Sequence, residues 1–92
     1  MTIHEVRQYL EREFPDTTAQ YRPDKDNLGV VFHVRDKRSG IVLYRTHITP
    51  RALDDRSIDR LTQWSLSRRM RQVGNVIVVV DTGGVTGTAE EA

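Results

Sequence analysis

Residues 28–49 read LGVVFHVR-DKRSG-IVLYRTHIT, two β-prone segments separated by a five-residue turn. Valine, isoleucine, phenylalanine and tyrosine dominate both segments, and these residue types favour strands whose side chains are half buried. The turn ends in Gly40, which can adopt the left-handed conformation and so close a type I turn with a bulge. The stretch therefore predicts a β-hairpin with strands over 28–35 and 41–49.

The apolar side chains of this hairpin fall together in a single register. With Gly40 left-handed, Lys37 pairs with Ile41, and a shift of one residue would mix polar and apolar side chains on both faces. Three cross-strand pairs of the apolar face follow from this register: Val34 with Tyr44, Phe32 with Thr46, and Val30 with Ile48. The opposite face then carries Val31, His33, Arg35, Leu43, Arg45 and His47.

A helix is predicted before the hairpin, over residues 3–14. Thr2 and Glu5 have the spacing of a capping box, and apolar residues follow at helical spacing. Pro15 ends the helix because it disfavours the helical conformation of the preceding residue and lacks an amide donor. Residues 17–22 are predicted as a short edge strand, with a loop as the alternative, and residues 23–27 have turn chemistry.

A second helix is predicted after the hairpin. Thr49 is a suitable N-cap, Pro50 suits the first helical position, and Gly74 suits the C-terminal end, so the helix should run from residue 50 to about residue 72. The next residues, 75–80, form an almost continuous apolar run. A strand of this kind is usually covered on both faces.

The element order α-(β)-β-β-α-β predicts an α+β protein, a two-layer sandwich with two helices on one face of a three- or four-stranded, mainly antiparallel sheet. Residues 1–81 are expected to form a single domain. Residues 82–92 contain Val85 as their one core-forming side chain and are expected to be a disordered tail.

Composition limits the function classes. The chain has 92 residues and no cysteine, which excludes disulfides, a thiol nucleophile and thiolate metal sites. It contains neither an apolar run long enough to span a membrane nor a signal-peptide pattern, so a cytoplasmic protein without membrane contact is expected. No cofactor motif is present. Asp81 with Thr82 and Gly83 lacks the second carboxylate of an aspartic-protease site, so we expect no enzymatic activity.

Arginine is concentrated in the middle of the chain, and the face opposite the apolar hairpin pairs is a candidate anion site. Twelve of the fourteen basic residues are arginine, and the last twenty residues contain three acids and no base. His33 and His47 are expected to be diagonal neighbours beside Arg35 and Arg45, an arrangement that would attract phosphate and disfavour a metal cation. The alternative is an ordinary solvated sheet face.

The second predicted helix supplies a further cluster of bases, Arg68, Arg69 and Arg71. This cluster could contact a nucleic-acid backbone, or it could simply complement the negative end of the helix dipole. Nucleic-acid binding or regulation through these arginines and the hairpin face is therefore the alternative function.

The leading expectation is a protein-interaction module that forms a homodimer. The apolar arc of the second predicted helix is wider than one sheet face requires, so Trp64 either packs in the core or contacts a partner. The hairpin face opposite the apolar pairs also carries the apolar residues Val31, Ile41 and Leu43, which a partner would bury. The expected dimer contacts are Val31, Ile41, Leu43 and Trp64.

Overall fold

The computed structural model describes residues 1–24 and 29–89, and in this part of the chain four helices and five strands form an α+β fold. The helices lie on one face of a single mixed sheet. In chain order the elements are α1 (Ile3–Glu13), β1 (Thr17–Pro23), β2 (Val30–Asp36), β3 (Val42–Ile48), α2 (Pro50–Asp55), α3 (Asp59–Gln63), α4 (Leu66–Val73), β4 (Ile77–Asp81) and β5 (Gly84–Ala89).

The strands lie in the order β1-β2-β3-β4-β5, so β1 and β5 are the two edges of the sheet. Neighbouring strands are antiparallel except β3 and β4, which are parallel. A parallel pair needs a long crossover connection, and the three helices α2 to α4 provide it. The edge strand predicted over 17–22 is present as β1.

The central register of the hairpin is confirmed. Val30 pairs with Ile48, Phe32 with Thr46, and Val34 with Tyr44, and Gly40 is left-handed with φ +74°. The expected pairing of Lys37 with Ile41 is wrong. Arg35 pairs with Val42 instead, because Leu43 is an extra residue that bulges out of β3 near the turn.

The single helix predicted over 50–72 is wrong, because the segment is divided into α2, α3 and α4. Arg56 ends α2 in an extended conformation, and Ser65 interrupts the chain between α3 and α4 with φ 54° and ψ 44°. These breaks allow apolar residues from several sides of the predicted helix to reach the same core. Ala52, Leu61, Leu66 and Met70 are all fully buried there.

The sheet has five strands, one more than the largest number expected, because β5 forms within the stretch 82–92 that was expected to be disordered. Residues 84–89 pair with β4, and Val85 lies opposite Val80. The strand contains a bulge, and both of its glycines have positive φ. A single core-forming residue is enough for this segment to form a strand, because pairing with it satisfies the backbone groups along the edge of β4. Residues 90–92 lie outside the described residues.

The core lies between the helices and the inner face of the sheet. From α1 it receives Val6, Tyr9 and Leu10, and the capping box of Thr2 and Glu5 is formed as expected. The buried sheet residues of the cluster are Ala19, Phe32, Val34, Ile48, Val78 and Val80. None of the helices in the described part of the chain has the length and apolar character needed to cross a bilayer.

Candidate functional site

The sheet face away from the helices, here called the outer face, carries a cluster of cations around His33. Side chains alternate between the two faces of β2, so His33 lies on the outer face while its neighbours Phe32 and Val34 are buried on the inner face. In the sheet His33 lies between Gln20 on β1 and Arg45 on β3. Arg35 lies two residues further along the same strand. The sequence expectation that these side chains share a face is therefore met in the backbone register.

The electrostatics of His33 follow from this position. Partial burial is the largest cause, and the positive charges of Arg22, Arg35 and Arg45 add to it, so that the pKa of His33 lies below its usual value of 6.5. Both effects disfavour the imidazolium ion. The centre of the outer face is therefore a region of positive potential around a neutral imidazole.

Arg35 and Arg45 on the outer face donate hydrogen bonds to amide and carbonyl oxygen atoms. Arg35 donates from Nε to Gln20 Oε1 at 3.0 Å and from Nη1 to the carbonyl oxygen of Gly40 at 2.8 Å. Arg45 donates from Nε to Asn75 Oδ1 at 2.9 Å and from Nη2 to the Asn75 carbonyl oxygen at 2.6 Å. These bonds fix the orientation of both guanidinium groups.

His47 is placed differently from His33, although both lie on the outer face. Its side chain is buried, with 7% exposure, and its Nε2 lies 3.8 Å from Asp24 Oδ2. The backbone at Gly29 covers it so closely that a Cβ atom there would lie 2.2 Å from the same nitrogen. His47 is therefore a covered neighbour of a carboxylate, whereas His33 lies among arginines.

The four residues expected at a dimer interface do not form one surface. Val31 is buried at 3% exposure, while Ile41 and Leu43 are exposed at 62% and 38% beside the hairpin turn. Trp64 lies on the other side of the sheet, partly buried against the core. The outer face thus retains a small exposed apolar area that is flanked by arginines.

A groove of about 400 Å³ lies between α4 and the edge strand β5. Trp64 forms part of its wall, and Gly84 packs against the indole so closely that a Cβ atom would lie 3.3 Å from Cδ1. The groove is lined by Trp64, Ser65, Arg68, Arg69, Gln72, Val85, Thr86 and Gly87. Among the described residues, the lining of the groove contains two cations and no carboxylate.

The three arginines expected to act together are divided between two places. Arg68 and Arg69 line the groove and are exposed, and their guanidinium groups form no hydrogen bond or ion pair with residues 1–24 or 29–89. Arg71 instead turns towards α1, where it lies 4.8 Å from the ring centroid of Phe14 and donates to the Glu13 carbonyl oxygen at 2.6 Å. Arg71 is thus a structural contact between two helices.

The N-terminal end of α4 lies beside the groove. The helix begins at Leu66, its N-cap Ser65 makes no side-chain hydrogen bond, and its first turn contains no acidic residue. A carboxylate from α1 already lies at this end of the helix, because Ser67 Oγ donates to Glu13 Oε1 at 2.8 Å and the Ser67 amide donates to the Tyr9 hydroxyl at 3.1 Å. The positive charge of the groove therefore comes from Arg68 and Arg69.

The two edges of the sheet differ in how their backbones are protected. On β1, Glu11 Oε2 accepts a hydrogen bond from the Ala19 amide at 2.8 Å, and Arg22 and Pro23 end the strand. Charged side chains and proline are the usual means by which an edge strand avoids pairing with another chain. By contrast, β5 contains only glycine, valine, threonine and alanine. The open edge is β5.

The carboxylate of Asp81 has a structural role. Asp81 accepts hydrogen bonds from the Thr82 amide and the Thr49 hydroxyl, both at 2.8 Å, and these bonds lower the pKa of its carboxyl group. Thr49 is also the N-cap of α2, so the carboxylate ties β4 to the start of that helix. Within the described ranges, no group of three histidine, aspartate or glutamate side chains is placed to hold a metal ion.

Comparison of the chain with protein-family models, with curated protein sequences and with solved structures gave no match. The candidate surfaces therefore rest on this chain's own residues. Sequence reasoning identified Trp64 as a possible contact and Arg68 and Arg69 as part of a basic cluster. It missed the groove that joins them, because the opposite wall belongs to β5. The signal available in the sequence was the threonine- and valine-containing run 84–89, which is free of charge and proline.

Proposed function

We propose that this protein is a non-enzymatic interaction module that binds an extended acidic segment of a protein by strand addition to β5. The observation that carries the proposal is that an unprotected edge strand lies beside a groove to which the described residues contribute two arginines and no carboxylate. Strand addition derives its affinity from main-chain hydrogen bonds to the edge and its specificity from pockets for alternate side chains.

The geometry of strand addition suits this groove. A segment lying beside β5 would send every second side chain to the helix side of the sheet, where α4 forms the far wall. Val85 and Trp64 offer apolar contact there. Gly87 leaves room at the strand surface, since a Cβ atom there would meet no atom within 4 Å.

The charge of the groove favours an acidic segment. Guanidinium groups bind carboxylates through paired hydrogen bonds, and Arg68 and Arg69 are both available for such contacts.

Nucleic acid is the alternative ligand, and the aromatic content of the groove argues against it. Single-stranded nucleic acids are bound by cationic grooves in which aromatic rings stack on successive bases. Trp64 is the one aromatic residue that lines the groove, and Gly84 already packs against it. A peptide needs no stacking surface, which favours a protein segment.

The proposal can be tested with a fluorescein-labelled peptide of alternating glutamate and valine, using a peptide of alternating glutamine and valine as the control. We expect the acidic peptide to bind, with a change in Trp64 emission, and the neutral peptide to bind more weakly. Arg68→Gln with Arg69→Gln should weaken binding of the acidic peptide by about tenfold, because two carboxylate contacts are lost.

A matched variant removes the same charge elsewhere. Arg38→Gln with Arg51→Gln changes two exposed arginines outside the groove and should leave peptide affinity nearly unchanged. Equal losses in the two double variants would show a nonspecific charge effect and contradict the proposal. Binding of a single-stranded oligonucleotide through Arg68 and Arg69, in preference to the acidic peptide, would support the nucleic-acid alternative.

A further inference from the structure

We infer that the segment bound at β5 carries an apolar side chain and an acidic side chain two residues apart, with the apolar one at the Trp64 end of the groove. This inference rests on the function proposed above and names the sequence class that the same site recognises. The groups that line the groove follow one another in a fixed order, and their spacing matches that of alternate residues in a strand.

The helix α4 and the strand β5 run in the same direction along the groove. At one end Gly84, the first residue of β5, contacts the indole of Trp64, which lies two residues before α4 begins. At the other end α4 stops at Val73, four residues before Ile77, and Ile77 pairs with Ala89 at the end of β5. Positions along α4 can therefore be matched to positions along a strand added beside β5.

The Trp64 end of the groove is apolar. Trp64 and Val85 both line it, and each is partly buried against the hydrophobic core. Val85 lies opposite Val80, whose side chain is fully buried in the core, so Val85 faces the helix side of the sheet. An apolar side chain added beside Val85 on that side would remove further apolar surface of both residues from water.

The cations come next along the groove. Arg68 and Arg69 lie in the first turn of α4, and both are exposed. Because a helix rises about 1.5 Å per residue, their backbone positions lie about 3–5 Å beyond the start of α4. About one helical turn further, Gln72 lines the groove with an uncharged amide. The wall formed by α4 thus passes from the apolar end to two cations and then to a neutral polar group.

An extended segment matches this arrangement with every second residue. Successive side chains of a strand point to opposite faces, and alternate residues are about 7 Å apart. When an apolar side chain contacts Trp64 and Val85, the side chain two positions along faces the same helical wall beside the arginines. The residue between them points to the outer face. An acid next to the apolar residue would therefore miss Arg68 and Arg69, and an acid four positions away, about 13 Å, would lie beside or beyond Gln72.

Two peptides of identical composition test this spacing. The first repeats leucine-threonine-glutamate-threonine twice, which places leucine and glutamate on one face, two residues apart, for either strand direction. The second repeats leucine-glutamate-threonine-threonine twice, which places them on opposite faces. Both peptides are capped at their ends and labelled with fluorescein, and fluorescence anisotropy measures their dissociation constants. The first should bind about tenfold more tightly, because the second can bury its leucines or pair its glutamates but cannot do both.

Variants of the protein assign the two contacts. Arg68→Gln with Arg69→Gln should abolish the preference between the peptides, because each can then only bury leucine. The matched variant, Arg38→Gln with Arg51→Gln, should retain the preference. The apolar contact is measured separately with unlabelled peptides. Trp64 is the one tryptophan of the chain, so its emission should shift to shorter wavelength with the first peptide as leucine covers the indole.

Equal affinity of the wild type for the two peptides, or tighter binding of the second, would overturn the inference. A preference for the first peptide that persists without Arg68 and Arg69 would also overturn it, because these arginines would not be the partners of the acid. In each case, binding of the alternating glutamate and valine peptide through Arg68 and Arg69 would still support the proposed function. Failure of every acidic peptide to bind would remove the inference and the proposed function together.

Discussion

At the scale of single residues, the clearest measurable consequence concerns His33. Partial burial and the neighbouring Arg22, Arg35 and Arg45 lower its pKa below 6.5. The unfolded chain therefore binds this proton more tightly than the folded chain does. The contribution of His33 to the free energy of unfolding should be complete above about pH 6.5 and should decrease as the pH falls towards the lowered pKa. NMR titration of the ring and urea unfolding of His33→Gln against the wild type measure the two effects.

Phosphate distinguishes an anion site on the outer face from a solvated face. A bound phosphate would offset the repulsion by the arginines and raise the pKa of His33, whereas a solvated face would leave that pKa unchanged. His4, exposed in the first turn of α1, reports general screening in the same titration. Equal responses of His4 and His33 to phosphate would show that the outer face has no specific anion site.

At the scale of secondary-structure elements, the break between α3 and α4 can be tested at Ser65. Its left-handed backbone is unfavourable for a residue with a Cβ atom, and its side chain makes no capping hydrogen bond. Ser65→Gly should therefore raise the free energy of unfolding by about 0.5–1 kcal/mol, measured by urea denaturation. Ser57 also lies between two helices but has negative φ. Ser57→Gly should lower stability slightly, and a stabilising effect there would contradict the explanation.

At the scale of the whole molecule, β5 should be part of the folded unit. A chain that ends at Gly83 exposes one edge of β4 and uncovers Trp64, so its free energy of unfolding should be lower by about 2–4 kcal/mol. A chain that ends at Ala89 retains every pair of β5 with β4. Its free energy of unfolding should lie within about 0.5 kcal/mol of that of the full chain. Equal stability of the two truncated chains would show that residues 84–89 contribute nothing to the fold.

The sequence by itself determined the local parts of this protein. The capping box at Thr2, the N-cap at Thr49, the left-handed Gly40 and the central pairs of the hairpin depend on residues a few positions apart, and all of them are present in the structure. The alternation of side chains along the two hairpin strands also predicted that His33, Arg35 and Arg45 share one face of the sheet. Near the turn this reasoning failed, because the bulge at Leu43 changes the pairing without changing the polarity of either face.

Only the tertiary structure decided the elements that depend on distant partners. The segment 84–89 contains one core-forming residue, and it becomes a strand because β4 offers an unpaired edge. The helical segment 50–72 breaks twice because its apolar residues, on several sides of one helix, must meet one sheet face. Tertiary packing likewise turned Arg71 towards Phe14, covered His47 with the backbone at Gly29, and placed Arg68 and Arg69 beside β5. The groove joins residues about twenty positions apart in the chain, a separation over which periodicity carries no information.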